Sequence, residues 1–391
     1  MISRPFDAIA FEDITALKDG LVPESRTLEY KLDLPNDADS GRIPFLAEVC
    51  AFANTSGGDI VFGIYEEGGV PADLKGLEVV DRDSSLLKFE QIIRTGLEPI
   101  LQNVRLKFVP GQQNKSFLVV RVPRSWNGPH RVSYKDHSKF YGRNSAGKYP
   151  MDVSELRTAF LNAESVSTSA RNFRKERVAR IKNNVDLPMQ VERNGFLVLH
   201  LVPFIALDGV ARIDVAALRK NAVVLPPIGA SGWNQRLNLD GIVFFSGERH
   251  GSSDAYTQVF RNGFIEAASS FIASEGSVLI PSEAYEKDCI QACGQYFAFL
   301  KSADIPIPIA AFVSLLGIRA HQFAVSRKMF WSTSTYPLDR DDLLLPELLA
   351  DSYDINPATF LRPAFDMVWQ SFGFDRSFNY DEGGKWVGQR E

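Results

Sequence analysis

Three acidic positions near the start of the chain have types and spacing that could do chemistry together. Glu24 and Glu29 lie five residues apart, and Glu66 opens the pair Glu66-Glu67 just after an apolar run. Clustered carboxylates at element ends can simply be solvated, since Glu is rarely buried. They can also hold Mg2+ or Mn2+ through oxygen ligands, and such an ion stabilises charge during phosphodiester cleavage. Spacing alone leaves both readings open. Lys31 stands two residues beyond Glu29, and on a strand that spacing puts the two side chains on one face. There it could stabilise the developing charge of a phosphate, or form a surface salt bridge.

Placing those acids together requires a strand, a helix and a second strand. Thr27-Leu28-Glu29-Tyr30-Lys31 alternates like an entering strand. A helix follows, with Pro44 suited to its first turn and Phe45, Leu46, Val49, Cys50, Phe52 and Ala53 at helical spacing. Asn54-Thr55-Ser56-Gly57-Gly58 is a stop signal. Ile60 to Tyr65 reads as a buried strand, closed by a turn at Glu66-Glu67-Gly68-Gly69. The acids then fall at element ends that can share one sheet edge.

Glu24, four residues, Glu29-Tyr30-Lys31, then Ala51-Phe52-Ala53-Asn54-Thr55-Ser56-Gly57-Gly58 and Phe62-Gly63-Ile64, resembles the Schlafen AlbA-2 domain. Pro129-His130 and Tyr141-Gly142-Arg143-Asn144-Ser145 are similar to later stretches of the same family. The resemblance covers roughly residues 20 to 162. It implies a metal-dependent endoribonuclease acting on structured RNA such as tRNA, with Glu24, Glu29 and Glu66 as catalytic residues and ligands of Mg2+ or Mn2+. The chain departs from the family pattern in having Tyr65-Glu66-Glu67 in place of a turn with two aspartates, and Tyr30 in place of Phe. Neither change removes a carboxylate. In this reading Lys31 assists at the phosphate, while Arg143, Lys148 and His130 contact the nucleic acid. The competing reading is a non-enzymatic nucleic-acid-binding or nucleotide-responsive regulatory protein.

The 391 residues suggest two domains, and a hydrophobic content of 45% describes a globular chain with ample core. A formal charge of -5 argues against indiscriminate coating of nucleic acid, though a local basic groove is compatible with it. Three cysteines, Cys50, Cys289 and Cys293, give no disulfide framework. No apolar run reaches membrane-spanning length and the N-terminus lacks a signal-peptide core, so a cytoplasmic location without a membrane partner is expected. RNA, tRNA above all, is the expected partner, and a homodimer is left open.

The predicted fold class is α+β in two lobes with mixed sheets and flanking helices. The first lobe is the AlbA-2-like domain at 1–164, followed by a basic linker helix at 165–184 and a second α+β lobe at 185–391. In the first lobe a helix is expected over Leu86 to Leu97, a hairpin from Val104–Phe108 to Phe117–Val122, one or two strands over Arg131 to Tyr141, and a helix over Val153 to Ala163. The linker carries six basic residues and one acid between Arg171 and Lys182. Arg171, Arg174, Lys175 and Arg177 could form a phosphate-facing helix, where counterion release adds affinity, or an exposed solvated face. Phe196 to Pro203 echoes Phe117 to Pro123, and Phe260-Arg261-Asn262-Gly263 echoes Tyr141-Gly142-Arg143-Asn144, which suggests a degenerate repeat. Helices are expected at Glu283 to Lys301 and near Leu343 to Leu349 or beyond, a strand at Ile309 to Leu316, and a loose tail from Asp381.

Other constellations are rejected. Gly142 to Lys148 has the spacing of a phosphate-binding loop, but Tyr149-Pro150 follows where Ser or Thr and a helix are required. Cys289 and Cys293 lie one helical turn apart without a second ligand pair, which reads as core packing. The five histidines show no metal-ligand spacing, and no Gly-x-Ser-x-Gly elbow exists.

Overall fold

The computed structural model describes all residues except 3, 5, 37, 191–194, 208–212, 221–223, 248–252, 271, 274–276, 328, 329, 335 and 389–391. For 162–164, 326, 327 and 330–332 it describes the backbone alone. The chain divides into two compact units, Met1–Val166 and Ser167–Glu391. Both mix helices with sheets, as an α+β chain should.

The first unit begins with α1 (Phe11–Asp19), β1 (Leu28–Lys31), α2 (Asp39–Asn54), β2 (Gly58–Phe62), β3 (Ile64–Glu67) and β4 (Val70–Leu74). It continues through α3 (Arg82–Gly96), β5 (Leu97–Glu98), β6 (Arg105–Pro110), β7 (Ser116–Val122), β8 (Arg131–Tyr134), β9 (His137–Asn144) and β10 (Gly147–Pro150). The long helix α4 (Val153–Asn183) follows, and the division between the units falls inside it. The expected helix at Val153 to Ala163 and the linker helix are therefore one element.

Two four-stranded sheets organise this unit, ordered β1-β2-β7-β6 and β10-β9-β8-β5. β1 runs parallel to β2, and the other pairings are antiparallel. Every residue of α2 from Phe45 to Ala53 is buried, which explains why its apolar pattern has few gaps. The helix packs with Ile60, Phe62, Leu118 and Val120 of the first sheet, with Phe89 and Ile93 of α3, and with Val132 of β8. The opposite face of the first sheet presents Leu28, Tyr30, Val61, Phe117 and Val119 to Ile9, Ile14 and Leu17. Strand alternation then turns Glu29 and Lys31 toward the α2 side.

Gly58 explains the close fit of β2 to the end of α2. A Cβ there would lie 2.3 Å from the Phe52 ring and 2.8 Å from the Thr27 carbonyl. Pro44 was expected in the first turn, but α2 starts at Asp39 and Pro44 sits in its second turn. The rejected phosphate loop is the β9–β10 hairpin, extended on both sides.

In the second unit the elements are β11 (Phe196–Pro203), α5 (Phe204–Leu207), α6 (Val215–Lys220), β12 (Asn234–Leu237), β13 (Gly241–Ser246), β14 (Ala255–Phe260), β15 (Ile265–Ser269) and β16 (Leu279–Pro281). Next come α7 (Ser282–Ser302), β17 (Ile309–Leu316), β18 (Gln322–Arg327), β19 (Phe330–Thr333), β20 (Leu343–Leu344), β21 (Leu348–Ala350) and α8 (Pro357–Ser371). Its main sheet runs β12-β13-β14-β15-β11-β17-β20, with β21 also on β17. All of its pairings are antiparallel. Side chains of α7 and α8, including Tyr296, Phe365 and Trp369, fill the core against β11 and β17.

Three expectations for this half change. Leu343 to Leu349 forms β20 and the start of β21, and the helix comes later, as α8. The tail is held: Trp386 Nε1 donates to buried Glu286 at 2.9 Å, and Tyr380 bridges Trp386. The repeat is confined to a likeness of buried strands. Phe260 to Gly263 closes β14 and enters the turn to β15, whereas Tyr141 to Asn144 lies within β9, and the main sheet here lacks the parallel pair of the first unit.

Candidate functional site

The opening motif and the Tyr-Gly-Arg-Asn-Ser stretch converge on one cleft of about 490 Å³. Glu24, Glu29, Lys31, Glu48, Gly69, Arg143 and Lys148 all line it. β1 supplies Glu29 and Lys31, α2 supplies Glu48, and the β9–β10 hairpin supplies Arg143 and Lys148.

Arg143 is the centre of this arrangement and is only 3% exposed. Its guanidinium donates to Glu48 Oε2 at 2.8 Å, to the Ser25 carbonyl at 3.1 Å, to the Leu28 carbonyl at 3.3 Å, and to Glu29 Oε2. The same group lies 4.5 Å from the centre of the Phe52 ring. Glu48 and Phe52 are one turn apart on α2, so one helix face offers a carboxylate and an aromatic ring to the same cation. Arg143 therefore ties β1 to α2 and is not available to grip a nucleic-acid backbone.

Two lysines complete the charge pattern. Lys31 Nζ pairs with Glu29 Oε1, and Lys148 Nζ pairs with Glu48 Oε1. Their side chains are 41% and 30% exposed, against 8% and 5% for the carboxylates they pair with. Burial opposes the charge of Glu29, yet Lys31 and Arg143 hold its carboxyl below the usual range. Burial likewise opposes the charge of Lys31, but Glu29 lifts its ammonium above the ordinary value.

Glu24 and Glu66 sit differently, and among the described residues neither forms an ion pair. Glu24 Oε1 accepts from the Tyr30 amide at 2.8 Å, and Glu66 Oε2 accepts from the Gly69 amide at 2.6 Å. The Glu24 amide in turn donates to the Gly69 carbonyl at 2.7 Å, so the β3–β4 turn joins the two acids. Glu24 has a raised pKa, first through burial and then through repulsion from Glu29 and Glu66, against the lowering bond from Tyr30. Glu67 points away and accepts from the Tyr65 hydroxyl at 3.3 Å.

The donor set is wholly carboxylate oxygen, the chemistry that suits Mg2+ or Mn2+. Among the described residues, no three of His, Cys, Asp or Glu are grouped to hold a metal ion. Glu29 is engaged by two cations, so of the three acids Glu24 and Glu66 would be the ones to hold an ion. One or two carboxylates are the usual protein share of a Mg2+ site that also takes substrate phosphate.

Several residues expected at a nucleic-acid surface are elsewhere. His130 is 1% exposed, its ring held between the Pro99 carbonyl and the Ser125 hydroxyl, both at 2.6 Å. Arg177 is buried and pairs with both oxygens of Glu266 at 2.7 Å. Arg174 is buried beside the Phe312 ring and donates to the Leu345 carbonyl. Arg171 pairs with Glu347, and Lys182 with Asp342. Of the four bases named on that helix, Lys175 is exposed with no ion pair among those described. The basic run thus anchors its own unit because its long side chains find acids distant in sequence, buried Glu266 and the half-buried Glu347 and Asp342. Glu48 escaped the sequence reading. Its signal was a charged residue inside an otherwise apolar helix, one turn before an aromatic.

Residues 24–152 match the family described as Schlafen, AlbA_2. No curated protein matches the chain. Among solved structures, similarity is found to the DIP2311 protein from Corynebacterium diphtheriae, at 19% identity and a TM-score of 0.26, covering 37% of this chain and 29% of that one. It is also found to the N-terminal domain of a putative ATP-dependent DNA helicase RecG-related protein from Nitrosomonas europaea. There the identity is 21% and the TM-score 0.26, covering 33% of this chain and 86% of that one.

Proposed function

We propose that the first unit, which carries a Schlafen AlbA_2 domain over residues 24–152, is an endoribonuclease acting on structured RNA such as tRNA. The observation that carries this reading is the meeting of Glu24, Glu29, Lys31 and Lys148 in one cleft, with Glu24 sensing the charge of both Glu29 and Glu66. Lys31 and Lys148, each anchored by a buried carboxylate and partly open to solvent, receive the phosphate of the backbone. Glu29 and Glu48 act through those lysines by fixing where each ammonium stands. Mg2+ or Mn2+ held by Glu24 and Glu66 would supply charge stabilisation at the phosphate.

Purified protein incubated with total tRNA and either ion should cut it, and chelator should stop the cutting. Glu24→Ala and Glu66→Ala should each lower cleavage by roughly two orders of magnitude or more, because the ion carries the charge stabilisation. RNA binding should persist in both, since a lost carboxylate lessens repulsion of phosphate. A second reading, nucleic-acid binding or nucleotide response without cleavage, is favoured by one observation. Glu29 and Glu48 are already neutralised by Arg143, Lys31 and Lys148. Binding without cleavage under every divalent ion would decide for that reading.

A further inference from the structure

Beside the carboxylate cleft lies a second cavity of about 140 Å³, and the two share Lys31, Glu48 and Lys148. Its inner wall is apolar, formed by buried Phe45, Ile60 and Phe62, with Pro35 and Pro44 at the sides. Its rim carries Asp33 and Ser40, both exposed. A small cavity with an apolar wall and two lysines in its lining is a place for a ring attached to a phosphate.

Away from the two lysines, the rim offers acceptors at Asp33 and Ser40. Asp33 offers a carboxylate. Pro44 lies inside α2 and has no amide hydrogen, so it withholds from the Ser40 carbonyl the donor that the helix ladder would supply. We infer that this slot takes the unpaired nucleobase next to the phosphate held by Lys31 and Lys148, and that it favours bases carrying an exocyclic amine over uracil. The inference rests on the RNA reading of the adjoining cleft. Adenine and cytosine present an amino donor to acceptors of this kind. Uracil presents one ring N–H flanked by two carbonyls, which a carboxylate repels. Stacking on the apolar wall adds affinity for any base, and the rim sets the choice between them.

The test uses the full chain and small probes, so that it does not depend on cleavage. Binding of AMP, CMP, UMP and ribose 5-phosphate is measured by NMR titration in the absence of divalent ions. AMP and CMP should bind roughly tenfold more tightly than UMP, and ribose 5-phosphate more weakly than all three. Asp33→Asn, at an exposed position that should leave the fold intact, should narrow the gap between CMP and UMP. Pro44→Ala restores the helix donor to Ser40 and should narrow it further, without loss of thermal stability. Equal binding of all four probes would overturn the inference and reduce the slot to an apolar recess beside two lysines. Discrimination unchanged in both variants would also overturn it. Base selection by a protein that leaves tRNA uncut would uphold the slot and reject the nuclease reading. Cutting of tRNA with no base selection would do the reverse.

Discussion

Each unit holds a buried arginine paired with buried carboxylate, one acid in the second unit and two in the first, and the two clusters differ in what they leave open. In the second unit Arg177, Glu266, His200 and Tyr256 are all buried. Glu266 accepts from Arg177 twice at 2.7 Å, from the Tyr256 hydroxyl at 2.9 Å, and lies 3.0 Å from His200 Nε2. In the first unit Arg143 is equally buried, but half-exposed Lys31 and Lys148 line a cleft together with its carboxylates. A guanidinium that is fully enclosed locks elements together. Ammonium groups at a cleft mouth remain able to exchange a carboxylate for a phosphate. The motif with the most positive charge in the sequence is therefore the structural one, and the sparser one lines the cleft proposed to meet RNA.

The largest expected effect is on the enclosed cluster. Arg177→Ala leaves Glu266 buried without its main partner, and should cost the second unit about 3–5 kcal/mol in urea unfolding. RNA binding by any variant that remains folded should be unchanged. If binding fell with the fold intact, the structural assignment of this helix would be broken.

Acid should find the same cluster. Burial would raise the Glu266 carboxyl, but its bonds to Arg177 and His200 hold it down at about 2. A folded pKa below the unfolded value of 4.5 gives stability that is present above that value and is lost as the pH falls toward 2. The loss amounts to about 3 kcal/mol for this group, read as a falling urea midpoint. Glu266→Gln should flatten that slope.

Arg143→Ala should destabilise the first unit by about 2 kcal/mol, less than Arg177→Ala, because Lys31 and Lys148 still neutralise Glu29 and Glu48. Arg143→Lys should recover only part of this, since an ammonium cannot serve two carboxylates and two carbonyls in one plane. Equal losses in the two arginine variants would erase the distinction drawn between the clusters.

Much of the first unit was legible because its signals are local. Alternation in Thr27 to Lys31 and a two-residue step were enough to set Glu29 and Lys31 on one face, and the cleft contains both. The stop at Asn54 to Gly58 marked where α2 yields to β2. What could not be read depends on partners far along the chain. Arg177 and Glu266 are 89 residues apart, and Arg143 and Glu48 are 95 apart. A run of bases shows its sign in the sequence but not its counterions. Glu48 is hidden for a related reason, since a lone acid in a helix is ordinarily solvated. Pro44 misled the helix start because a second-turn proline costs one ladder bond, and the packing of Phe45 to Ala53 outweighs that loss.

The smallest predicted change in stability comes with the sharpest test of function. Lys148→Ala breaks a half-open pair and should shift stability by under about 1 kcal/mol. Its effect should appear in the salt dependence of tRNA binding, compared with Arg171→Ala and Lys175→Ala on α4. The account predicts that Lys31→Ala and Lys148→Ala each reduce the slope of log affinity against log salt by about one, while Arg171→Ala and Lys175→Ala leave it unchanged. A slope that falls for the α4 variants and holds for Lys31 and Lys148 would contradict the assignment of the first-unit cleft as the surface that meets RNA.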